Sequence, residues 1–313
     1  MSAVPLQIDT EAFGELAEPD ADAPRQRFSR RALVWRRFRR NRMAVAGLVV
    51  LVMLALLALA GPWLIADWTH TELDPGYNLQ GPSRRHWFGT TQNGRDLFAM
   101  ALQGLRKSML IGLAVGLGST TIAALVGSFA AYFGGWFDRI AMWVIDLLLV
   151  LPAFLIIAII INVAGGGSSL LLLVVMLAGL GWMLSARVVR SLAMSVKERE
   201  YVTAARYMGV PGWRIVLRHI LPNISSLLII DATLAIGAAV IAETGLSFFG
   251  FGIRPPDVSL GTLIGDGARM ATTYPWTFYS GAGFLVLMVV SINFVGDGLR
   301  DALDPSSRSG GRA

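Results

Sequence analysis

Two carboxylates lie inside apolar runs, where charge is expensive. Asp146 sits in the stretch AMWVIDLLLVLPAFLIIAII, which Pro152 also interrupts, and Asp231 follows Asn223 by about eight residues, roughly 12 Å of helix. An ionised carboxylate at span depth costs about 2.5 to 3.5 kcal/mol on insertion scales, so such a group faces protein or water and not lipid. Asp231 has two uses open to it: lining a path that favours cationic cargo, or pairing with a polar group on another helix. For Asp146 the alternatives to a pathway role are a helix-packing contact or a place at the interface. Together the two acids would also suit a proton or cation relay driven by an ion gradient. That architecture is built on inverted repeats with paired broken helices, and no such repeat is found by inspection.

Other chemistry finds no support. The histidines His70, His86 and His219 share no metal-ligand spacing, cysteine is absent, and no Ser/His/Asp set gathers at one depth. No G-x-x-x-x-G-K-[ST] phosphate loop occurs, so this chain does not split ATP by P-loop chemistry. No cofactor or metal is expected on it, and energy for any pumping has to come from elsewhere.

The elements that position these acids are membrane spans. Of 313 residues, 54% are hydrophobic and 15% charged, too apolar a balance for an ordinary soluble domain. Apolar stretches of roughly 20 residues predict six helical spans, over residues 43–65, 109–133, 140–163, 170–189, 224–242 and 279–295. Short alternating strands of a barrel are not seen. Arg25, Arg27, Arg30, Arg31, Arg36, Arg37, Arg39, Arg40 and Arg42 crowd the approach to the first span and place that end in the cytoplasm. An even number of spans then returns the C-terminus to the same side. Arg84, Arg85, Arg95, Arg106 and Lys107 run against the rule, in a loop long enough to translocate despite its charge. The net charge of +6 fits attraction to anionic lipid headgroups, and no nucleic-acid partner is expected, because the positive residues flank spans. Residues 1–24 read as an acidic disordered tail. Ala58-Leu59-Ala60 resembles a signal-peptidase site, but the apolar run continues past it, so an uncleaved anchor is the stronger reading.

Between the fourth and fifth spans lies a polar interruption, SVKEREYVTAARYMGVPGWRIVLRHILPN, residues 195–223. Tyr201, Ala204, Ala205 and Met208 fall at i, i+3, i+4 and i+7 and make a narrow apolar stripe. Ser195 is placed to cap the start, Gly209 to stop the helix, and Pro211 to enter the first turn of a second helix running towards His219. Pro222 then opens the next span. This segment resembles the EAA loop of ABC importer permease subunits, with Ala204, Ala205, Gly209, Leu221 and Pro222 in place and Thr203 where the family's glutamate usually stands. Glu200, one turn back, is the alternative polar contact.

Two further blocks carry the resemblance. His86-Trp87-Phe88-Gly89-Thr90-Thr91-Gln92-Asn93-Gly94-Arg95-Asp96 is similar to the HWFGTDxxGRD element of C-type subunits in the dipeptide, oligopeptide and nickel importer subfamily, with Thr91 replacing the acid. Its turn-forming residues suit a structural plug in which Arg95 and Asp96 cap the following helix, or a contact for an external binding protein. The run from Glu243 through Leu246, Ser247, Phe248, Phe249 and Gly250 to Gly252 is similar to the E-x-x-L-S-F-x-G-x-G run of the same subfamily, and its Phe and Gly residues suit an external gate. Gly112 and Gly116 form a small-xxx-small pair for close helix packing, and residues 260–271 suit a short re-entrant or surface helix. Asp297, Arg300, Asp301 and Asp304 are expected at a solvated inner end.

The expected fold is thus all-α integral membrane, a six-helix bundle of the ABC importer permease type with a cytoplasmic EAA-like coupling loop. Its parts are a tail over 1–42, a permease domain over 43–304 and a tail over 305–313, with external loops at 66–108 and 243–278 and the coupling loop at 195–223. The resemblance implies a peptide importer in a bacterial or archaeal plasma membrane. It also implies a second homologous permease, an external substrate-binding protein and two ATPase subunits that hold ATP and Mg; nickel, haem or another solute is the alternative cargo. The coupling surface would consist of Glu200, Tyr201, Thr203, Ala204, Ala205, Met208, Gly209 and Pro211. Asp146, Asp231, Phe248 and Phe249 are the candidates for the pathway or gate.

Overall fold

Helices form every regular element of the described residues in this computed structural model, which describes residues 30–64, 69–163 and 170–303. The tails expected over 1–24 and 305–313, and Asp304, lie outside them. The described residues open with α1 (Arg30–Arg40) and α2 (Arg42–Leu64), two helices joined at one residue. Asn41 makes that corner by accepting the amides of Met43 and Ala44 at 3.1 and 3.2 Å, as an N-cap does. The 23 residues of α2 give about 35 Å, enough for a hydrocarbon core of about 30 Å.

Helix α3 (Leu97–Phe133) begins twelve residues before the span expected from the apolar run. Asp96 fixes that start, since its carboxylate accepts the Ala99 amide at 2.7 Å. Leu97, Ala101, Leu102 and Leu105 are buried, and Lys107 turns to Asp257 at 3.2 Å, so the polar Arg106-Lys107 step does not break the helix. At 37 residues α3 is about 55 Å long and forms the spine of the fold. A Cβ on Gly116 would stand 2.5 Å from Ile236 Cγ1, and one on Gly112 2.6 Å from Val240 Cγ2, so α10 (Leu221–Phe248) lies hard against this face. The expected packing role of this glycine pair is met by α10.

Two spans are bent. Helices α4 (Gly135–Val150) and α5 (Ala153–Val163) meet at 79° across Leu151-Pro152. Proline lacks an amide hydrogen and favours extended backbone before it, and Leu151 is extended at φ −76°, ψ 133°. Helices α6 (Leu170–Gly181) and α7 (Met183–Lys197) meet at 46° at Trp182, whose indole donates to the Gly179 carbonyl at 2.9 Å. Four helices are long and apolar enough to cross alone, and counting each bent pair as one span makes six. The helices α8 (Glu200–Tyr207), α9 (Gly212–Ile215), α11 (Leu260–Ala268) and α12 (Trp276–Leu303) complete the order. In α11, the expected surface or re-entrant helix, Ser259 and Thr262 cap each other's backbone amides at 3.2 and 2.9 Å.

Contacts fix the directions. Gly298 near the end of α12 abuts Ala44 at the start of α2, Gly61 near the end of α2 abuts Leu102, and Ser108 of α3 bonds Glu243 of α10. One end of the bundle therefore gathers α1, the α3–α4 turn, α8, α9 and the end of α12. The other gathers residues 69–96 and 249–275. Between them the core runs through Leu54, Leu105, Val240, Leu260 and Met288.

Candidate functional site

The polar interruption folds as a helix, a turn and a helix, with boundaries that differ from those expected. Ser195 lies in the last turn of α7 and caps no helix start, because α7 continues to Lys197, with Val196 packed against the core that holds Val202 and Ala205. Arg199, extended at φ −69°, ψ 143°, precedes α8 instead. The stop is where the sequence placed it. Gly209 has φ +77°, its amide donates to the Arg206 carbonyl and that of Val210 to the Ala205 carbonyl, each at 3.1 Å, the paired bonds of a Schellman turn. Pro211 stands one residue outside the next helix, where its carbonyl accepts the amides of Arg214 and Ile215. That helix does not end at His219. It passes through a π-turn at Val216–Ile220 into α10, so residues 212–248 form one continuous rod. Pro222 therefore sits within a helix and not at its opening. The wide turn, in which the Leu221 amide reaches the Val216 carbonyl, brings the chain to a proline that has no amide of its own to satisfy.

Helix α8 has two faces. Val202 and Ala205 are buried against Ala193, Ile215, Val216, Ile220 and Ala131. Lys197 Nζ donates to the Ala131 carbonyl at 3.1 Å near the end of α3, and Asn223 Nδ2 donates to the Tyr201 hydroxyl at 2.6 Å. The first bond ties the end of α7 to α3, and the second ties α8 to the rod. The expected apolar stripe is split, since Ala205 faces inward with Val202 whereas Tyr201, Ala204 and Met208 stay exposed. Glu200, Thr203, Gly209 and Pro211 are exposed as well, and Tyr207 and Met208 keep 87% and 76% of their surface open.

The intramembrane acids have partners. Asp146 of α4 forms an ion pair with Arg187 of α7. Nearby, Arg190 binds Asp138 through two bonds of 2.5 Å each, a bidentate fork between the same two helices. Asp231 accepts from the Thr120 hydroxyl at 3.1 Å and the Ser185 hydroxyl at 2.7 Å, joining α10 to α3 and α7. This is the helix-pairing arrangement among the alternatives for Asp231. Asp146 and Asp231 are thus brought to the two sides of α7.

Sequence reasoning gave Glu243 no role beyond its place in a motif, yet it is fully buried. It accepts from Ser247 at 2.6 Å and Ser108 at 3.2 Å, and Ser108 also accepts the Leu260 amide at 3.2 Å. The i, i+4 spacing of Glu243 and Ser247 was the one local signal; Ser108 is 135 residues away. Phe248 and Phe249 close α10 and are exposed, and Phe154, just after the Pro152 bend, packs edge-on to Phe249 with ring centres 5.6 Å apart. Phe154 completes an aromatic cluster that was only half expected.

At the same end His86 is fully buried between Asp96, 2.8 Å from Nδ1, and Asp74, 3.4 Å from Nε2, and Arg85 pairs with Asp74 at 2.9 Å. Asp96 both caps α3 and holds the histidine. Arg95 takes no part in the cap; its Nε is buried without a hydrogen-bond partner. Within the HWFG block Phe88 packs against Phe98 and Phe284, while Trp87 stays exposed. Burial holds the His70 imidazole below its ordinary value, against the pull of Asp257.

Comparison with known proteins agrees with this architecture. Residues 123–309 match the family described as binding-protein-dependent transport system inner membrane component, and residues 29–82 match the N-terminal TM domain of oligopeptide transport permease C. The oligopeptide transport system permease protein OppC of Mycobacterium tuberculosis is 55% identical over 281 residues, covering 90% of this chain and 96% of the relative. The protein of the same name from Bacillus subtilis is 35% identical, covering 87% and 88%. The dipeptide transport system permease protein DppC of Alkalihalophilus pseudofirmus is 32% identical, covering 93% and 96%. The six spans, the helical interruption and these matches together place the chain in the family of binding-protein-dependent transport system inner membrane components, the permease subunits of ABC importers.

Proposed function

We propose that this chain is one permease of an ATP-driven peptide importer, and that α8 is the handle gripped by a separate ATPase subunit. The observation that carries the handle is its division of labour. Val202 and Ala205, with the Tyr201 hydroxyl, fasten α8 to the ends of α3 and of the 212–248 rod, while Ala204, Tyr207 and Met208 remain open. A push on that open face moves α8 with α9, and the rod carries the displacement through the bilayer as a rigid body. Glu200 and Thr203 lie exposed on α8 and supply the polar part of the contact. The peptide cargo rests on the names of the relatives.

The full assembly adds a second homologous permease, two ATPases that hold ATP and Mg, and an extracytoplasmic binding protein. The end bearing α8 faces the cytoplasm, since Arg36, Arg37, Arg39, Arg40 and Arg42 share it. At the opposite end Arg85 and Lys107 are ion-paired with Asp74 and Asp257, within a loop long enough to translocate despite its charge. Phe154, Phe248 and Phe249 form the outer gate. Because the chain has no cysteine, single thiols test the topology cleanly. Tyr207→Cys should resist a membrane-impermeant maleimide in intact cells and react once the membrane is opened; labelling from outside would overturn the orientation. Ala204→Arg should abolish peptide uptake and association with the ATPase while the permease still inserts, and normal ATPase association would remove α8 from the coupling role.

A further inference from the structure

A groove of about 690 Å3 runs between α2, α3, α10 and α12, on a side of the bundle the function above does not use. Helix α3 lines it with Arg106, Met109, Leu110 and Leu113, at i, i+3, i+4 and i+7, so one charged and three apolar side chains share a single face. Arg106 and Thr233 are the polar residues of the lining, and the other walls are apolar. The volume is that of a site for a small ligand or a hydrocarbon chain. Arg106 is exposed and makes no ion pair with a described residue, whereas its neighbour Lys107 binds Asp257 at 3.2 Å. Its depth can be counted. A Cβ on Gly61 would lie 2.8 Å from Leu102 Cδ1, so Gly61, where the membrane-spanning stretch of α2 ends, is level with Leu102. Arg106 follows Leu102 by four residues, about 6 Å of helix. Side chains lean towards the N-terminus of their helix, which for α3 is the end away from α8. The stem of Arg106 therefore lies along apolar wall while its head reaches headgroup depth. A lone guanidinium in that position is costly unless an anion meets it.

We propose that this groove binds a phospholipid of the leaflet away from α8, its phosphate held by Arg106 and one acyl chain lying against Met109, Leu110 and Leu113. Phosphate is the anion that a bilayer itself supplies at this depth, so charge complementarity and position select the occupant together. The bound chain fills the seam that the side chains of α2, α3, α10 and α12 leave open. An arginine that met only water would leave the groove indifferent to the headgroup, and a second permease seated on this face would exclude lipid altogether.

The test offers the assembled transporter in detergent two photoactivatable lipids with the same reactive acyl chain, a phosphatidylglycerol and the corresponding diacylglycerol. Labelling should map to α2, α3, α10 or α12 around the groove and favour phosphatidylglycerol about fivefold, the effect of one basic residue at a membrane surface. Arg106→Gln should remove that preference, and Arg106→Lys, which keeps the charge, should retain most of it. Ala55→Phe, on the α2 wall, should reduce labelling by both lipids with Arg106 in place. Equal labelling by the two lipids, a preference that survives Arg106→Gln, labelling unaffected by Ala55→Phe, competition by glycerol phosphate equal to that of phosphatidylglycerol, or labelling of the isolated chain but not of the assembled transporter would each overturn the proposal. None of these readings depends on which cargo is carried.

Discussion

Replacing Asp231 separates a structural acid from a conducting one. Its carboxylate accepts two hydroxyl bonds, 3.1 Å from Thr120 and 2.7 Å from Ser185, and so joins three helices. Bonds to charged groups contribute about 1.5 to 3 kcal/mol each in soluble proteins. Within a bilayer the unfolded helices also find partners, and measured values average about 0.6 and reach about 1.7 kcal/mol. Removing both bonds by Asp231→Ala should therefore cost about 1 to 3 kcal/mol. The loss is moderated because Thr120 and Ser185 can turn to carbonyls of their own helices. Asp231→Asn should cost less than about 1 kcal/mol, since an amide offers one acceptor and one donor to hydroxyls that can reverse their roles. Thermal stability in detergent and ATP-dependent peptide uptake into proteoliposomes should fall together in the alanine variant, and the asparagine variant should retain most of both. Uptake lost in Asp231→Asn with stability unchanged would refute this reasoning and return the acid to the pathway. Dissipating the proton gradient at constant ATP supplies the second arm, because a gradient-driven relay would stop where an ATP-driven permease continues.

Gly116→Ala should destabilise the bundle by about 1 to 3 kcal/mol, because the new Cβ would stand 2.5 Å from Ile236 Cγ1 and 2.8 Å from the Ile236 backbone nitrogen. Gly283→Ala meets nothing within 4 Å and should be neutral or slightly stabilising in the same thermal assay. Gly209→Ala keeps the space but strains a φ of +77°, so it should cost about 1 kcal/mol and raise protease cleavage between α8 and α9. His70, held below the ordinary value of 6.5 by burial, binds a proton more readily in the unfolded chain. Stability should accordingly be full above that value and fall as pH drops below it. His70→Gln should flatten that pH dependence, and an unchanged slope would show that the imidazole is not its source.

What could be read from the sequence follows a physical division. Hydropathy located each span, because a bilayer imposes length and composition on any helix that crosses it. The Gly209 turn was equally legible, since a left-handed residue has few choices of type. Boundaries set by tertiary packing were not. The early start of α3 depends on Leu105 being buried and on Lys107 finding Asp257, 150 residues away. Helix α1 was read only as a row of charges; it is helical where Phe38 can pack on Ala44 and Ala302. The stripe on α8 was divided correctly into helical positions, but the burial of Ala205 beside an exposed Ala204 needed the neighbouring α9 and the end of α3. The partners of Asp231 and Glu243 come from distant helices and left almost no local trace.

The π-turn at Val216–Ile220 adds one residue to a single turn of an otherwise regular helix. Each residue advances an α-helix by about 100°. Wound as a regular α-helix, the same residues would swing everything downstream by about that angle relative to α8. Asp231 would leave Thr120 and Ser185, Ile236 would leave the glycines of α3, and Glu243 would lose Ser108. The wide turn thus absorbs one residue and keeps the membrane half of the rod in phase with the inner handle.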